Sequence, residues 1–188
     1  MEYANLPDEE LAGLFRGGDA AAFEALLDRY SRSIYNFTLR FLGDPSDAED
    51  ATQLTLIQAF ESLPAARPEA SLRPWLFQVA RNKCIDLIRK RRTVPLSAFE
   101  RDDELPTFDP VDIAPLPAEL YEHEELQQIL RDAISALPVR SREVVLMRYL
   151  GELTFAEIGQ SLGMPENTAK TLFQRAKVGL RAYLRKRL

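Results

Sequence analysis

Five prolines fall between residues 94 and 119 of this 188-residue chain. They are Pro95, Pro106, Pro110, Pro115 and Pro117. The same segment holds seven carboxylates and one arginine. Proline has no backbone donor for a helix interior, and a segment this acidic buries too little apolar surface to fold by itself. The sequence therefore predicts a flexible acidic linker at 94–119 between two domains, at 1–93 and 120–188.

Apolar side chains recur every three or four residues on both sides of this linker, which is the spacing of amphipathic helices. One long helix is predicted from Phe23 to Phe41. A second begins at Asp44 and Pro45, a capping residue followed by a proline in the first turn. Its apolar stripe is predicted to comprise Ala48, Ala51, Leu54, Ile57 and Phe60. The sequence shows no alternation typical of β-strands, so the predicted fold is all-α, with two small helical domains.

A third helix is predicted to start near Leu72 and to have one apolar and one basic face. The apolar face comprises Leu72, Trp75, Leu76, Val79, Ala80, Cys84 and Leu87. The outward face comprises Arg73, Gln78, Arg81, Asn82 and Arg89. Because Trp75 falls on the apolar stripe, we expect it to pack in the core rather than to stack on a base.

Residues 154–177 carry the pattern of a helix-turn-helix. Thr154 and Glu157 form a capping box, in which hydroxyl and carboxylate each satisfy a free backbone N–H. Gly163 can end that helix in the left-handed conformation. A second helix then begins at about Pro165, whose fixed φ suits a first helical position. The second domain is therefore predicted to contain a helix-turn-helix, a motif common among DNA-binding proteins.

The second helix of this motif is predicted to bury one face and to offer the other to DNA. Its inward positions are Ala169, Phe173, Ala176 and Leu180. The candidates for contacts with bases or phosphates are Glu166, Asn167, Lys170, Thr171, Gln174 and Arg175. The alternative is an ordinary helical hairpin with a solvated polar face.

Charge is strongly segregated along the chain, although the net charge is only −5. Residues 62–93 carry eight basic and two acidic side chains, and residues 120–188 carry eleven basic and eight acidic side chains. Residues 1–61 carry four basic and twelve acidic side chains. Two basic segments separated by an acidic one indicate two nucleic-acid contacts, with acidic surfaces left for a basic protein partner.

Other classes of protein receive no support from the sequence. No apolar run approaches the length of a membrane span, and residues 1–10 lack the features of a signal peptide, so we expect a cytoplasmic protein. A single cysteine, Cys84, and a single histidine, His123, argue against a disulfide or a zinc site. With no nucleophile–histidine pairing and no phosphate-binding glycine loop, we expect neither a cofactor nor enzymatic activity.

Three segments in this order resemble the extracytoplasmic-function (ECF) sigma factors of bacterial RNA polymerase. They are residues 47–60 (DAEDATQLTLIQAF), residues 73–86 (RPWLFQVARNKCID) and the helix-turn-helix. The resemblance implies a subunit that binds core polymerase and directs promoter-specific initiation. It also implies that 1–93 corresponds to sigma region two and 120–188 to region four, and that an anti-sigma factor controls the protein.

The resemblance assigns roles to three groups of residues. Polymerase binding, on the clamp coiled coil of the beta-prime subunit, is expected of Asp47, Glu49, Asp50, Gln53 and Gln58. Recognition and opening of the minus-ten element are expected of Arg73, Arg81, Asn82, Lys83, Asp86 and Arg89, together with the loop 62–71. The minus-thirty-five element is expected to meet the candidates on the second helix of the helix-turn-helix. For Asp47 a helix-capping role is an equally good interpretation.

One position departs from the family pattern. Leu172 stands where family members often carry a basic residue, so we expect apolar contact with a thymine methyl group in place of a polar contact. Two other functions stay open at this point. A helix-turn-helix regulator that does not replace a sigma subunit would share the C-terminal motif, and a sigma mimic could sequester an inhibitor. Neither needs the basic helix at 72–92.

Overall fold

The computed structural model describes residue 3 and residues 5–63, 71–92 and 124–187. Within these ranges the chain forms helices and no β-strand, which confirms the all-α prediction. The helices are α1 (Asp8–Arg16), α2 (Ala20–Leu42), α3 (Pro45–Ser62), α4 (Leu72–Arg92), α5 (Glu124–Ser135), α6 (Val139–Tyr149), α7 (Phe155–Leu162) and α8 (Glu166–Leu184). The predicted linker at 94–119 and most of the loop 62–71 lie outside the described residues.

Helix α2 lies at the centre of the first four helices and contacts α1, α3 and α4. The side chain of Asp19 caps its start, and Gly43 ends it in the left-handed conformation with φ +78°. Asp44 caps α3 by accepting a hydrogen bond from the backbone N–H of Asp47 at 2.9 Å, with Pro45 in the first turn as predicted. Local signals in the sequence therefore set these helix boundaries.

Helix α3 buries only the first two members of its predicted apolar stripe, Ala48 and Ala51. Leu54, Ile57 and Phe60 are 43%, 54% and 51% exposed. The side chains that face inward are small: Ala48, Ala51, Thr52, Thr55 and Ala59. Thr52 and Thr55 each donate their hydroxyl to the carbonyl four residues earlier, at 2.6 Å, so both can be buried without an unsatisfied donor. The exposed row Leu54, Ile57 and Phe60 is named the α3 ridge below.

The second group of helices is assembled around α8, which contacts α5, α6 and α7. Helix α6 presents Val144 and Met147 to the interior, both fully buried. Leu153, in the turn after α6, and Ile158 of α7 are also fully buried. This packing fixes α7 and α8, the two helices of the predicted motif, on a rigid base.

The two groups of helices also pack against each other. Helix α6 contacts α2, and α7 contacts α4. Phe77 of α4, only 1% exposed, lies beside Gly151 in the turn after α6. Gly151 allows this approach, because a Cβ there would lie 3.3 Å from the Phe77 ring and 2.7 Å from the Met147 carbonyl oxygen. Two separate domains were predicted from the acidic linker, and this contact between them was not predicted.

Candidate nucleic-acid interface

The predicted helix-turn-helix is present as α7 and α8. Thr154 and Glu157 form the capping box, with the Thr154 N–H donating to the Glu157 carboxylate at 2.7 Å and the Glu157 N–H donating to the Thr154 hydroxyl at 3.3 Å. Gly163 ends α7 with φ +64°. Pro165 is the residue before the helix, so α8 starts one position later than predicted.

Gly159, in the middle of α7, sets how closely the turn approaches that helix. A Cβ at this position would lie 2.7 Å from the carbonyl oxygen of Met164 and 3.3 Å from the backbone nitrogen of Glu166. Both atoms belong to backbone, which cannot move aside as a flexible side chain can. The angle between α7 and α8 therefore depends on a glycine that the sequence analysis did not single out.

We expect Gly159→Ala to lower the free energy of unfolding by about 1–3 kcal/mol, the usual effect of overpacking. Urea denaturation followed by far-ultraviolet circular dichroism measures it. Gly179→Ala is the matched control, because a Cβ there would lie 3.6 Å from Leu137, at ordinary contact distance on an exposed part of α8. The control should gain up to about 1 kcal/mol from helix propensity. Equal losses in both variants would contradict the close approach at Gly159.

Helix α8 exposes the row that was predicted to face DNA. Ala169, Phe173, Ala176 and Leu180 are buried, as predicted. The exposed residues are Glu166, Asn167, Lys170, Thr171 and Gln174, while Arg175 is half-buried. Leu172 is only 5% exposed and belongs to the core. The expectation that Leu172 contacts a thymine methyl group is therefore wrong, because its side chain points away from the exposed row.

Two side chains of this row already have partners on their own helix. The Lys170 ammonium lies 2.7 Å from the Glu166 carboxylate, with both side chains about half exposed. The Thr171 hydroxyl donates to the Asn167 carbonyl at 2.8 Å. An exposed pair four residues apart contributes only a few tenths of a kcal/mol. Lys170 can therefore exchange Glu166 for a phosphate with little loss.

Helix α4 carries all six residues predicted to meet the minus-ten element, in different surroundings. Asn82 and Asp86 are exposed, while Lys83 and Arg89 are half-buried. The Arg89 guanidinium lies 3.8 Å from the Asp86 carboxylate, one turn away. Arg73 and Arg81 instead reach residues outside α4.

Arg73 connects the first group of helices to the turn after α6. Its Nε donates to the Tyr30 hydroxyl at 3.2 Å, and its Nη1 donates to the Glu152 carboxylate at 2.6 Å. Tyr30 in turn donates to Asp8 at the start of α1. Burial, together with the bond to Asp8, raises the pKa of Tyr30 to about 12, so Tyr30 stays a neutral donor. The hydrogen bond with Tyr30, with Glu152 adding to it, raises the pKa of Arg73, which keeps its charge.

Arg81 pairs with a carboxylate on α6. Its Nε donates to Glu143 Oε1 at 2.8 Å, and its Nη1 donates to the Asn82 side chain at 3.2 Å. Glu143 is fully buried, and burial raises its pKa although Arg81 opposes the change. Glu143 and Glu152 were not predicted as partners of these arginines, because no local pattern in the sequence indicates contacts between residues 60 to 80 positions apart.

The residues predicted to contact polymerase differ in exposure along α3. Glu49, Asp50 and Gln53 are exposed and Gln58 is half-buried. Asp47 is only 6% exposed, so its side chain is not part of an accessible surface. The α3 ridge lies along the same side as Asp50 and Gln53, at spacings of three and four residues. The accessible face of α3 is therefore apolar as well as acidic.

The described ranges contain neither a candidate metal site nor a candidate membrane-spanning helix. No group of three or more histidine, cysteine, aspartate or glutamate side chains among these residues is placed to hold a metal ion. Cys84 is buried, and burial raises the pKa of its thiol. No helix in the described part of the chain is long and apolar enough to cross a membrane.

Known proteins share both the sequence and the fold. Residues 26–94 match the family model for Sigma-70 region 2, and residues 127–179 match that for Sigma-70, region 4. The ECF RNA polymerase sigma factor SigW of Bacillus subtilis is 33% identical over 171 residues, which are 89% of this chain and 91% of SigW.

Two solved structures have the same fold at lower sequence identity. CnrH in complex with the cytosolic domain of CnrY gives a TM-score of 0.71 at 24% identity, over 95% of this chain and 97% of the compared chain. RpoE of Bartonella quintana, in complex with the anti-sigma factor NepR, gives a TM-score of 0.67 at 23% identity, over 87% of this chain and 96% of the compared chain. Together with the match to SigW and to both sigma regions, the helix-turn-helix and the basic helix identify this chain as a member of the ECF sigma factors of RNA polymerase.

Proposed function

We propose that this sigma factor divides promoter recognition between its two helical groups. Helix α8 reads the duplex minus-thirty-five element, and α4 contacts the minus-ten element while it opens. The observation that carries the proposal is the pairing, in one chain, of a helix-turn-helix with an exposed polar row and a separate helix with a basic outward face. A regulator that leaves the sigma subunit in place needs only the first of these.

The chemistry of α8 fits recognition in the major groove. Asn167 and Gln174 carry amides that can donate to and accept from a base edge, and both are exposed. Lys170 supplies an exposed positive charge for a phosphate. The close approach of Gly159 to the backbone of Met164 and Glu166 holds α7 against the start of α8, which fixes the angle at which α8 enters the groove.

The chemistry of α4 fits contact with an opened strand. Asn82 is exposed and offers both a donor and an acceptor to an unstacked base. Lys83 and Arg89 lie on the same helix and can follow the phosphate backbone. We assign Arg73, Arg81 and Asp86 to the same surface, the two arginines being available once they leave their glutamate partners.

Core polymerase binds, in this proposal, on the accessible face of α3. Glu49, Asp50 and Gln53 supply polar contacts around the α3 ridge, which provides the apolar centre typical of a protein interface. Gln58 lies at the margin, and Asp47 acts through its position in the first turn rather than by contact. The partner is the clamp coiled coil of the beta-prime subunit, and the site of action is the cytoplasm.

Control by an anti-sigma factor is the remaining part of the proposal. Large apolar side chains left exposed in a row mark surfaces that other proteins cover. The α3 ridge is such a row, so an inhibitor that covers it would exclude polymerase. RpoE of Bartonella quintana, which shares the fold, forms a complex with the anti-sigma factor NepR.

The assignment of α8 is tested by two substitutions with different expected effects. Lys170→Ala should weaken binding to all promoter variants alike and lower the salt slope by about one, because it removes one phosphate contact. Gln174→Ala should relax preference at one base pair by about 1–3 kcal/mol. Competition among minus-thirty-five variants at two salt concentrations, with polymerase carrying the full chain, measures both.

Lys186→Ala serves as the control for loss of a positive charge, because Lys186 lies beyond the C-terminal end of α8. Lys186→Ala should leave the salt slope and the preference among minus-thirty-five variants nearly unchanged. If Gln174→Ala leaves the order of preference intact, the helix does not read bases through this residue. If Lys186→Ala weakens binding and lowers the salt slope as much as Lys170→Ala does, the effect of Lys170→Ala comes from the loss of net charge and not from a specific phosphate contact.

A further inference from the structure

The side chain of Arg73 is held from within the first group of helices by a buried tyrosine. Arg73 Nε donates to the Tyr30 hydroxyl at 3.2 Å, and the guanidinium lies over the Tyr30 ring, 5.5 Å from its centroid. Tyr30 is only 3% exposed, whereas the Arg73 side chain is 37% exposed. One edge of the guanidinium is therefore fixed inside the protein, while the rest of the group reaches the surface.

Asp8, in the first turn of α1, determines how the Tyr30 hydroxyl is oriented. Its two carboxylate oxygens are divided, with Oδ1 accepting from Arg29 and Oδ2 accepting from the Tyr30 hydroxyl. A hydroxyl has one proton to donate, and with that proton on Asp8 its lone pairs are left for Arg73. Burial, together with the bond to Asp8, raises the pKa of Tyr30 to about 12, so the proton is retained. Asp8, Tyr30 and Arg73 are named the Tyr30 bridge.

We propose that Tyr30 and Asp8 are positioning residues for promoter opening, which act by holding the Arg73 guanidinium ready for a phosphate of the minus-ten region. The inference rests on the proposed role of Arg73 in that contact. It gives α1 a part in promoter opening, because α1 supplies the carboxylate at the inner end of the Tyr30 bridge. Tyr30 itself is buried and needs no contact with DNA.

Holding the guanidinium matters because a long side chain loses freedom when it binds. Ordering one such side chain at an interface weakens binding by about 2- to 12-fold. The Tyr30 bridge orders Arg73 when the chain folds, so DNA binding does not have to. The outer edge stays usable, since Nη1 donates to the Glu152 carboxylate at 2.6 Å while Nε remains on Tyr30. A DNA phosphate presents oxygens of the same charge and acceptor geometry.

A purely structural role for the Tyr30 bridge is the alternative. A buried tyrosine hydroxyl needs a hydrogen-bond partner, and an acidic side chain in the first turn favours a helix by itself. Loss of the Tyr30 hydroxyl would then destabilise the fold and lower promoter opening whatever residue stands at position 73. The two roles therefore differ in whether the effect of Tyr30 depends on Arg73.

A double-mutant cycle between Tyr30→Phe and Arg73→Ala separates the two roles. The full chain is bound to core polymerase, and the rate of promoter opening is measured by permanganate footprinting. Tyr30→Phe keeps the ring and removes the hydroxyl, so it should reduce opening by about 2- to 12-fold. Arg73→Ala alone should reduce opening at least as much. In chains that carry Arg73→Ala, Tyr30→Phe should cause no further loss beyond the error of such cycles, about twofold.

Two controls match these variants. Tyr35→Phe removes a hydroxyl from a half-buried position of the same helix and should open promoters as the wild type does. Lys83→Ala replaces Arg73→Ala in a second cycle. Lys83 lies about 15 Å further along α4, so the fold losses of Tyr30→Phe and Lys83→Ala should simply multiply.

Asp8→Asn tests the Tyr30 bridge from its other end, and it carries the test if Tyr30→Phe fails to fold. The amide keeps the size of the side chain but removes its charge, and its NH₂ group can donate to the Tyr30 oxygen in competition with Arg73. Asp8→Asn should reduce promoter opening in the wild-type background and leave it unchanged in chains that carry Arg73→Ala.

Equal fold losses from Tyr30→Phe with and without Arg73 would overturn the proposal, as would a Tyr30→Phe chain that opens promoters like the wild type. If Arg73→Ala also opens promoters normally, the minus-ten contact of Arg73 fails together with the Tyr30 bridge. If Arg73→Ala impairs opening and Tyr30→Phe does not, the Tyr30 bridge alone is rejected and the proposed function stands.

Discussion

Ile57→Glu is expected to weaken binding of this sigma factor to core RNA polymerase by about 30-fold, which corresponds to about 2 kcal/mol. Ile57 is the most exposed member of the α3 ridge, at 54%. A charge at the centre of a dry interface must be desolvated without a partner, and this penalty adds to the lost apolar contact. Because the side chain is already half in water, the fold itself should lose about 0.5 kcal/mol or less.

Ile57→Leu is the matched control, since it keeps the apolar character and the volume of the side chain. It should bind core polymerase nearly as well as the wild type. Competition against a labelled wild-type chain for a limiting amount of core polymerase measures both variants. Equal affinity of Ile57→Glu and Ile57→Leu would exclude the α3 ridge from the interface and leave only the polar residues of α3 as candidates.

Asn82→Ala is expected to reduce promoter opening by about 5- to 150-fold, the range given by about 1–3 kcal/mol for an amide paired with a base. Core binding should be unaffected, because Asn82 is exposed on α4 and is not among the residues of α3 proposed to contact polymerase. Permanganate footprinting of unpaired thymines in the minus-ten region measures opening directly.

Asn36→Ala provides the same substitution at an exposed position of α2. It should open promoters as the wild type does. Unchanged footprints with Asn82→Ala would remove this residue from the minus-ten contact. A parallel loss with Asn36→Ala would show that the effect comes from general destabilisation of the first group of helices.

Features written into a few adjacent residues were predictable from the sequence. The capping box of Thr154 and Glu157, the left-handed Gly163, and the cap formed by Asp44 and Pro45 depend on neighbours within one helical turn. The buried row of α8 followed from its spacing. Helix α1 was not predicted, because its nine residues bury only Leu11, Ala12 and Phe15 and so give a short pattern.

Features that depend on distant partners were not predictable. The face of α3 that packs in the core could not be predicted from hydrophobicity, because Thr52 and Thr55 are buried while Ile57 is exposed. An apolar stripe that binds another protein has the same residue spacing as one that packs in the core. The pairs of Arg81 with Glu143 and Arg73 with Glu152 join residues far apart in the chain. The charge pattern of the sequence predicted the basic face of α4, but it did not predict the two glutamates that pair with this face.

Reconstituted initiation tests directly whether this chain acts as a sigma subunit. Purified core polymerase and the full chain are incubated with a library of genomic DNA fragments, and the 5′ ends of the transcripts are sequenced. We expect discrete start sites that require both components, with only weak binding of DNA by the chain alone. Start sites that appear only when another sigma subunit is already bound to the polymerase would contradict it.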